Sequence, residues 1–199
     1  SRWAHFIKMK KILFMFIIIF AFIISSCSQQ NEVTGNLELK TKSEKQELNQ
    51  VRVFGTRIGE VPYDFTVVST EGKVVRLSDL MQEKKPVIVY FMAIWCPWCA
   101  KDYAALSKIY KDYESNLTFI SISLDLSEDL LELKEYKKKY LELQSMMFAP
   151  GQEQILIDYG ITKTTTKYAI GRNGTIIYKT IGAFTEEEWK QLLDSLIKS

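Results

Sequence analysis

An α/β domain is the fold the sequence predicts: a central sheet with helices over both faces, preceded by a hairpin. Three observations point there. Pro86–Met92, "PVIVYFM", is an unbroken apolar run rich in β-branched residues, the mark of a strand buried on both sides. Cys99, Tyr103, Leu106, Tyr110 and Tyr113 follow it at spacings of three and four, which predicts a helix with one apolar face. Strands and helices then alternate, and alternation implies a sheet covered on both faces.

The elements follow in order. "FTVV" at Phe65–Val68 and "VVRL" at Val74–Leu77 flank Glu71-Gly72 and predict a hairpin. A short strand near Val51–Phe54 is expected before it. Leu117–Leu124, "LTFISISL", alternates as a strand does. Ser127 is expected to cap a helix running to about Tyr140. Gln152–Tyr159 predicts a short helix. "KYAI", Arg172-Asn173-Gly174 and "TIIYKTIG" form a second predicted hairpin, with Asn-Gly as a two-residue turn. Thr185 and Glu188 have capping-box spacing, opening a last helix that carries Trp189, Leu192, Leu193, Leu196 and Ile197. Lys134–Tyr140, "KEYKKKY", reads as a solvated helix face.

Charge is unevenly placed along the 199 residues. The net formal charge is +2, yet Arg2, Lys8, Lys10 and Lys11 precede residue 27 and no acid does. Without residues 1–26 the balance is 22 basic to 24 acidic residues, which argues against nucleic acid as a partner. Lys10-Lys11 leads into 13 apolar residues, Ile12–Ile24, then Ser25, Ser26 and Cys27. That pattern fits a secretory signal peptide and is short for a bilayer span of about 20 residues. "ISSC" resembles the lipobox of bacterial-type lipoproteins, which implies cleavage before Cys27 and lipid attachment at its sulfur. An uncleaved anchor helix, or an ordinary signal peptide with a bystander cysteine, are the alternatives. Met9 is the expected start, so Ser1–Lys8 is set aside from fold reasoning. Residues 1–26 are thus expected to be upstream residues and signal, 27–50 a polar tether without aromatics, and 51–199 the domain.

Cys27 aside, the chain holds one cysteine pair, Cys96 and Cys99, in "WCPWC". The strand ends near Met92 and the helix is expected to begin at Cys96 or Pro97, proline being preorganised for the first helical position. Cys96 would then stand at the N-cap, facing free N–H groups whose partial charge favours a thiolate. Cys99 falls within the first turn, behind Cys96 and less exposed. One sulfur placed to attack a disulfide, with a second to resolve the mixed disulfide, is what dithiol exchange needs. A zinc site needs about four ligands, and the sole histidine, His5, lies upstream of the expected start. A structural disulfide over so short a loop would constrain the unfolded chain little.

"WCPWC" after "VIVYFMA" resembles the thioredoxin-fold active site, and more narrowly that of TlpA/ResA-like membrane-tethered thiol-disulfide oxidoreductases. "VPYDFTVVSTEGKVVRLSDL", "FISISLD" and "YGITKTTTKYAIGRNGTIIYKTIG" are similar to further segments of that family, in the same order from about Gly55 to the C-terminus. The resemblance implies a thioredoxin-like central mixed sheet flanked by helices, with an extra N-terminal hairpin. It implies Cys96 as nucleophile and Cys99 as resolving thiol, with a redox-active Cys96–Cys99 disulfide and no other cofactor. Trp95 and Trp98 are expected to form a partly exposed platform, with core packing as the alternative. Asp102 matches a functional acid of the family; an exposed helix carboxylate is the other reading.

The sequence departs from the family at two positions. Thr165 stands where the family has a cis-proline, and a cis bond before a non-proline residue costs about 2.5–4 kcal/mol. The Thr164–Thr165 bond is therefore expected to be trans or strained, with the Thr165 hydroxyl available to a thiolate. Tyr90, six residues before the nucleophile, occupies the place of a buried acid.

The expected activity is exchange with disulfides or dithiols of partner proteins in the cell envelope. A membrane electron donor is expected, and attachment through lipid or an N-terminal anchor. The dipeptide between the cysteines lacks histidine, which leans the direction slightly towards reduction; about 30 mV is only 1.4 kcal/mol. A metal-handling protein, carrying copper or an iron–sulfur centre on the thiols, is the second expectation. The absent proline and the Met146-Met147 thioethers motivate it.

Overall fold

The computed structural model describes residues 52–198. The expectations for residues 1–26, for the tether at 27–50 and for Cys27 lie outside the described residues.

A five-stranded mixed sheet forms the centre, in the order β5-β4-β3-β6-β7. Strand β3 (Val87–Met92) lies in the middle, parallel to β4 (Thr118–Ser123) and antiparallel to β6 (Thr166–Ile170). Outside these run β5 (Met147–Ala149), parallel to β4, and β7 (Ile176–Ile181), antiparallel to β6. All six residues of β3 are buried, as its unbroken apolar sequence demands. The thioredoxin-like mixed sheet and the N-terminal hairpin expected from the sequence are both present.

The two faces of β3 feed two cores. Ile88, Tyr90 and Met92 pack with α2 (Pro97–Leu106) and α5 (Glu186–Lys198), which bring Cys99, Tyr103, Leu106, Trp189 and Leu193. Val87, Val89 and Phe91 pack on the opposite face with Leu77 of α1 (Leu77–Gln82) and Ile155 of α4 (Glu153–Asp158). The hairpin of β1 (Thr66–Val68) and β2 (Val74–Arg76) joins that face through the buried pair Val67 and Val75. Each fully buried large apolar side chain contributes about 1.5–3 kcal/mol.

Several elements differ from expectation. The helix after Cys96 stops at Leu106, and Tyr110 continues the apolar face from a separate 3₁₀ turn, Tyr110–Asp112. Asp129, not Ser127, caps α3 (Leu130–Lys137), because its carboxylate accepts from Leu131 and Glu132 while Glu132 completes the box. Ser127 instead donates to Asp125. Of the early strand, a single bridge remains, Phe54 to Val61. Strand β5 and helix α1 are too short for a periodic signal and were not legible in the sequence. The β6–β7 turn is a three-residue loop: Gly171 N–H bonds Thr175 O, and Gly174 alone of the turn takes positive φ (79°). Asn173 spends its carbonyl on Thr175 rather than entering a two-residue turn, and a bulge follows in the ladder.

Candidate active site

Strand β3 delivers the chain to the sheet's end, and residues 93–95 turn it into α2. Cys96 is the N-cap in extended conformation, and Pro97 takes the first helical position. The Cys99 N–H donates to Cys96 Sγ at 3.2 Å, and the two sulfurs are 2.7 Å apart. Trp95 and Trp98 are 61% and 56% exposed, so Cys96 is flanked by open aromatic surface, with Pro97 exposed beside them. Cys96 itself is buried, 2% exposed beneath that surface, and Cys99 is fully buried behind it. Burial and the Cys96 contact push the Cys99 thiol up to about 12.

Two acids from the segment after β4 fasten the loop before Cys96. Glu128 is buried, accepts from the Ile94 N–H at 2.8 Å and from Ser123 Oγ at 2.6 Å, and desolvation raises its carboxyl above the usual range. Asp125 accepts from Trp95 Nε1 at 2.8 Å. Lys101 is a surface residue that lies over the Trp98 ring.

The departure at Thr165 resolves as a trans bond; the described residues contain no cis peptide. Thr165 instead takes φ 61°, a strained value for a β-branched side chain. Its hydroxyl is not bonded to Cys96, contrary to expectation. It donates to Thr164 O and accepts from Gly182 N–H. Thr164, which no motif in the sequence singles out, is the residue at the thiol: Cys96 Sγ donates to its Oγ1 at 3.2 Å.

Asp102 is not an exposed helix carboxylate; it is completely buried under Cys99. Four donors reach it: Tyr90 OH at 2.7 Å, Phe184 N–H at 2.7 Å, Trp189 Nε1 at 2.9 Å and Lys167 Nζ at 3.0 Å. Sequence reasoning missed Lys167. It is 1% exposed, ringed by Tyr90, Phe184 and Trp189, and its ammonium also donates to Thr165 O and Gly182 O. Desolvation lowers the Lys167 pKa, and Asp102 opposes that. The signal that could have found it is a lysine opening the otherwise apolar arm "KYAI" of a predicted hairpin, where a buried charge would need a partner.

Met146 lies in the same core cluster as Cys99, while Met147 packs against the other face. Among the described residues no three His, Cys, Asp or Glu side chains converge as a metal site would require.

The chain is similar to proteins named thiol-disulfide oxidoreductases. The thiol-disulfide oxidoreductase ResA of Bacillus cereus is 28% identical over 140 residues, 70% of this chain and 79% of that protein. ResA of Geobacillus thermodenitrificans is 26% identical over 139 residues, 70% of this chain and 78% of that protein. Among solved structures, a thiol:disulfide interchange protein of the thioredoxin family from Chlorobium tepidum superposes with TM-score 0.60 at 22% identity, covering 71% of this chain and 97% of its own. Residues 58–179 match the AhpC/TSA family, and the chain belongs to that family.

Proposed function

We propose that the protein is a thiol-disulfide oxidoreductase that acts on disulfides of partner proteins from an extracytoplasmic, membrane-tethered position, more as reductant than oxidant. The observation that carries the chemistry is the stacked pair: Cys96 at the N-cap flanked by open aromatic surface, Cys99 buried directly behind it. Cys96 thiolate attacks a substrate sulfur, the departing half leaves as a thiol, and a mixed disulfide remains. Cys99 then attacks Cys96, releases the second substrate thiol and closes the Cys96–Cys99 disulfide. The dithiol loses two electrons and the substrate disulfide gains them.

The similarity to ResA proteins supports the activity. The charged start, the Ile12–Ile24 apolar run and "ISSC" support the tether through Cys27 and the envelope location. No helix among the described residues is long and apolar enough to cross a membrane, so the tethering proposal rests on residues 1–27. The missing histidine between the cysteines supports the reductive lean, and a membrane electron donor would recharge the pair.

A Cys99→Ser trap tests the reading. Mixed disulfides to partner proteins are expected at Cys96, released by dithiothreitol and lost in Cys96→Ser. A trap that stays empty in cell-envelope extracts, together with no reduction of a model protein disulfide by the intact pair, rejects it.

A further inference from the structure

The end of the domain opposite the cysteines carries a surface that the dithiol chemistry does not use. Residues 53–61 form a closed loop: Val61 N–H bonds Val53 O, Gly55 N–H bonds Val61 O, and Phe54 bridges to Val61. Its acid is turned inward. Glu60 accepts from the Arg57 N–H at 2.9 Å, and its carboxylate fills the space that a Cβ on Gly55 would need. Its apolar side chains are turned outward: Val53, Phe54 and Ile58 are all exposed, Ile58 by 66%. Three large apolar side chains held out by one short loop mark a contact surface.

Cations gather at the same end. Gly59 N–H bonds Ile176 O and Ile176 N–H bonds Glu60 O, which seats the loop tip beside the β6–β7 turn. On that turn Arg172 donates to Lys84 O, between α1 and β3, and to Ile197 O, in the last turn of α5. Arg57, Lys84, Lys85, Arg172 and Lys198 are thereby brought to one end of the molecule with Ile58, and Glu83 is the exposed acid beside them. Asp112 and Glu114 belong to the approach to β4, across β3 from β7. Ile176 lies beside Ile170, and Ile170 beside Val87, the first residue of β3. Cys96 follows the last residue of that strand, Met92. The length of β3 thus separates the two surfaces by about 17 Å.

We infer that this basic, apolar-tipped end docks on an anionic lipid surface, and that docking turns Cys96 away from the bilayer. The inference rests on the tether proposed above. Residues 27–50 lead through Val51 into Arg52, the residue before the loop, so a chain held at Cys27 enters the domain at the loop that carries Ile58. Residues 27–50, at about 3.5 Å apiece, reach to about 80 Å when fully extended. Such a tether keeps the domain near lipid without orienting it, and orientation needs a surface of its own. Lysines and arginines clustered near a membrane are drawn to anionic headgroups. An aliphatic side chain projecting among them, as Ile58 does, buries itself at the boundary between headgroups and acyl chains.

The test uses the full chain with two kinds of vesicle: phosphatidylcholine alone, and phosphatidylcholine with roughly one-third phosphatidylglycerol. A water-soluble amine-acylating reagent is added, and the modification rate of each lysine is read by mass spectrometry. Association with both vesicles is expected. On the anionic vesicles alone, Lys84, Lys85 and Lys198 should react more slowly by on the order of tenfold, while Lys101 over the Trp98 ring should react equally on both. Salt at about 0.5 M should abolish the protection, because charge drives it. Ile58→Ser should lose most of the protection while reduction of a model disulfide stays native, since that residue is remote from the cysteines. Equal lysine rates on the two vesicles overturn docking and leave the tether standing. Association with the anionic vesicles alone supports docking and rejects the tether; association with neither rejects both. Protection that grows with protein concentration in the absence of vesicles assigns the surface to a second copy of the chain and overturns the lipid proposal.

Discussion

Thr165 is where a single residue holds unusual geometry. Its φ of 61° crowds a β-branched side chain, at a cost of about 1–2 kcal/mol. The fold keeps it there through its hydroxyl, which accepts from Gly182 N–H, and through its carbonyl, which accepts from Lys167. Two substitutions separate strain from bonding. Thr165→Ala keeps the strain and loses the hydroxyl, so it should destabilise by about 1 kcal/mol. Thr165→Gly loses the same bond but removes the strain, and should lie within about 0.5 kcal/mol of the native protein. Urea midpoints check the order; glycine less stable than alanine would mean that the left-handed conformation carries no cost.

At the scale of elements, α3 shows how a local rule fixes a site at a distance. Asp129 ends the β4–α3 connection by capping the helix, and the connection so shaped presents Asp125 and Glu128 to the loop before Cys96. Asp129→Ala removes a carboxylate that accepts two backbone N–H bonds. The expected loss is about 1 kcal/mol, and a melting temperature lower by about 2–4 °C in a thermal scan. Ser127 takes no part in the cap, so Ser127→Ala should leave that temperature within about 1 °C.

Across the whole molecule the cores are unusually rich in tyrosine. Burial raises the phenols of Tyr90, Tyr103, Tyr110, Tyr136 and Tyr159 well above 10, and burial with the Asp194 contact raises Tyr113 to about 12. A group whose pKa is raised by folding contributes stability that is complete below its unfolded value and fades as pH climbs towards its folded one. Stability should therefore fall steeply above about pH 10, and these tyrosines should ionise together with unfolding. Tyrosinate absorbance and far-ultraviolet circular dichroism followed through one alkaline titration check this. Gradual ionisation of the buried phenols in a still-folded protein would contradict it.

The sequence by itself determined the layered α/β plan, the central strand, the hairpins, the capping box at Thr185 and the placing of Cys96 and Cys99 at a strand-to-helix junction. Those features are written in periodicity, turn chemistry and neighbouring residues, which act over a few positions of chain. Only the tertiary structure decided that Asp102 is buried, that Lys167 of β6 is its counter-charge, that Tyr90 donates to Asp102, and that Thr164 rather than Thr165 meets Cys96. These pairings span β3, α2, β6 and the start of α5. No spacing along the chain encodes them, because they arise only when the sheet sets its strands side by side and the helices close over one face.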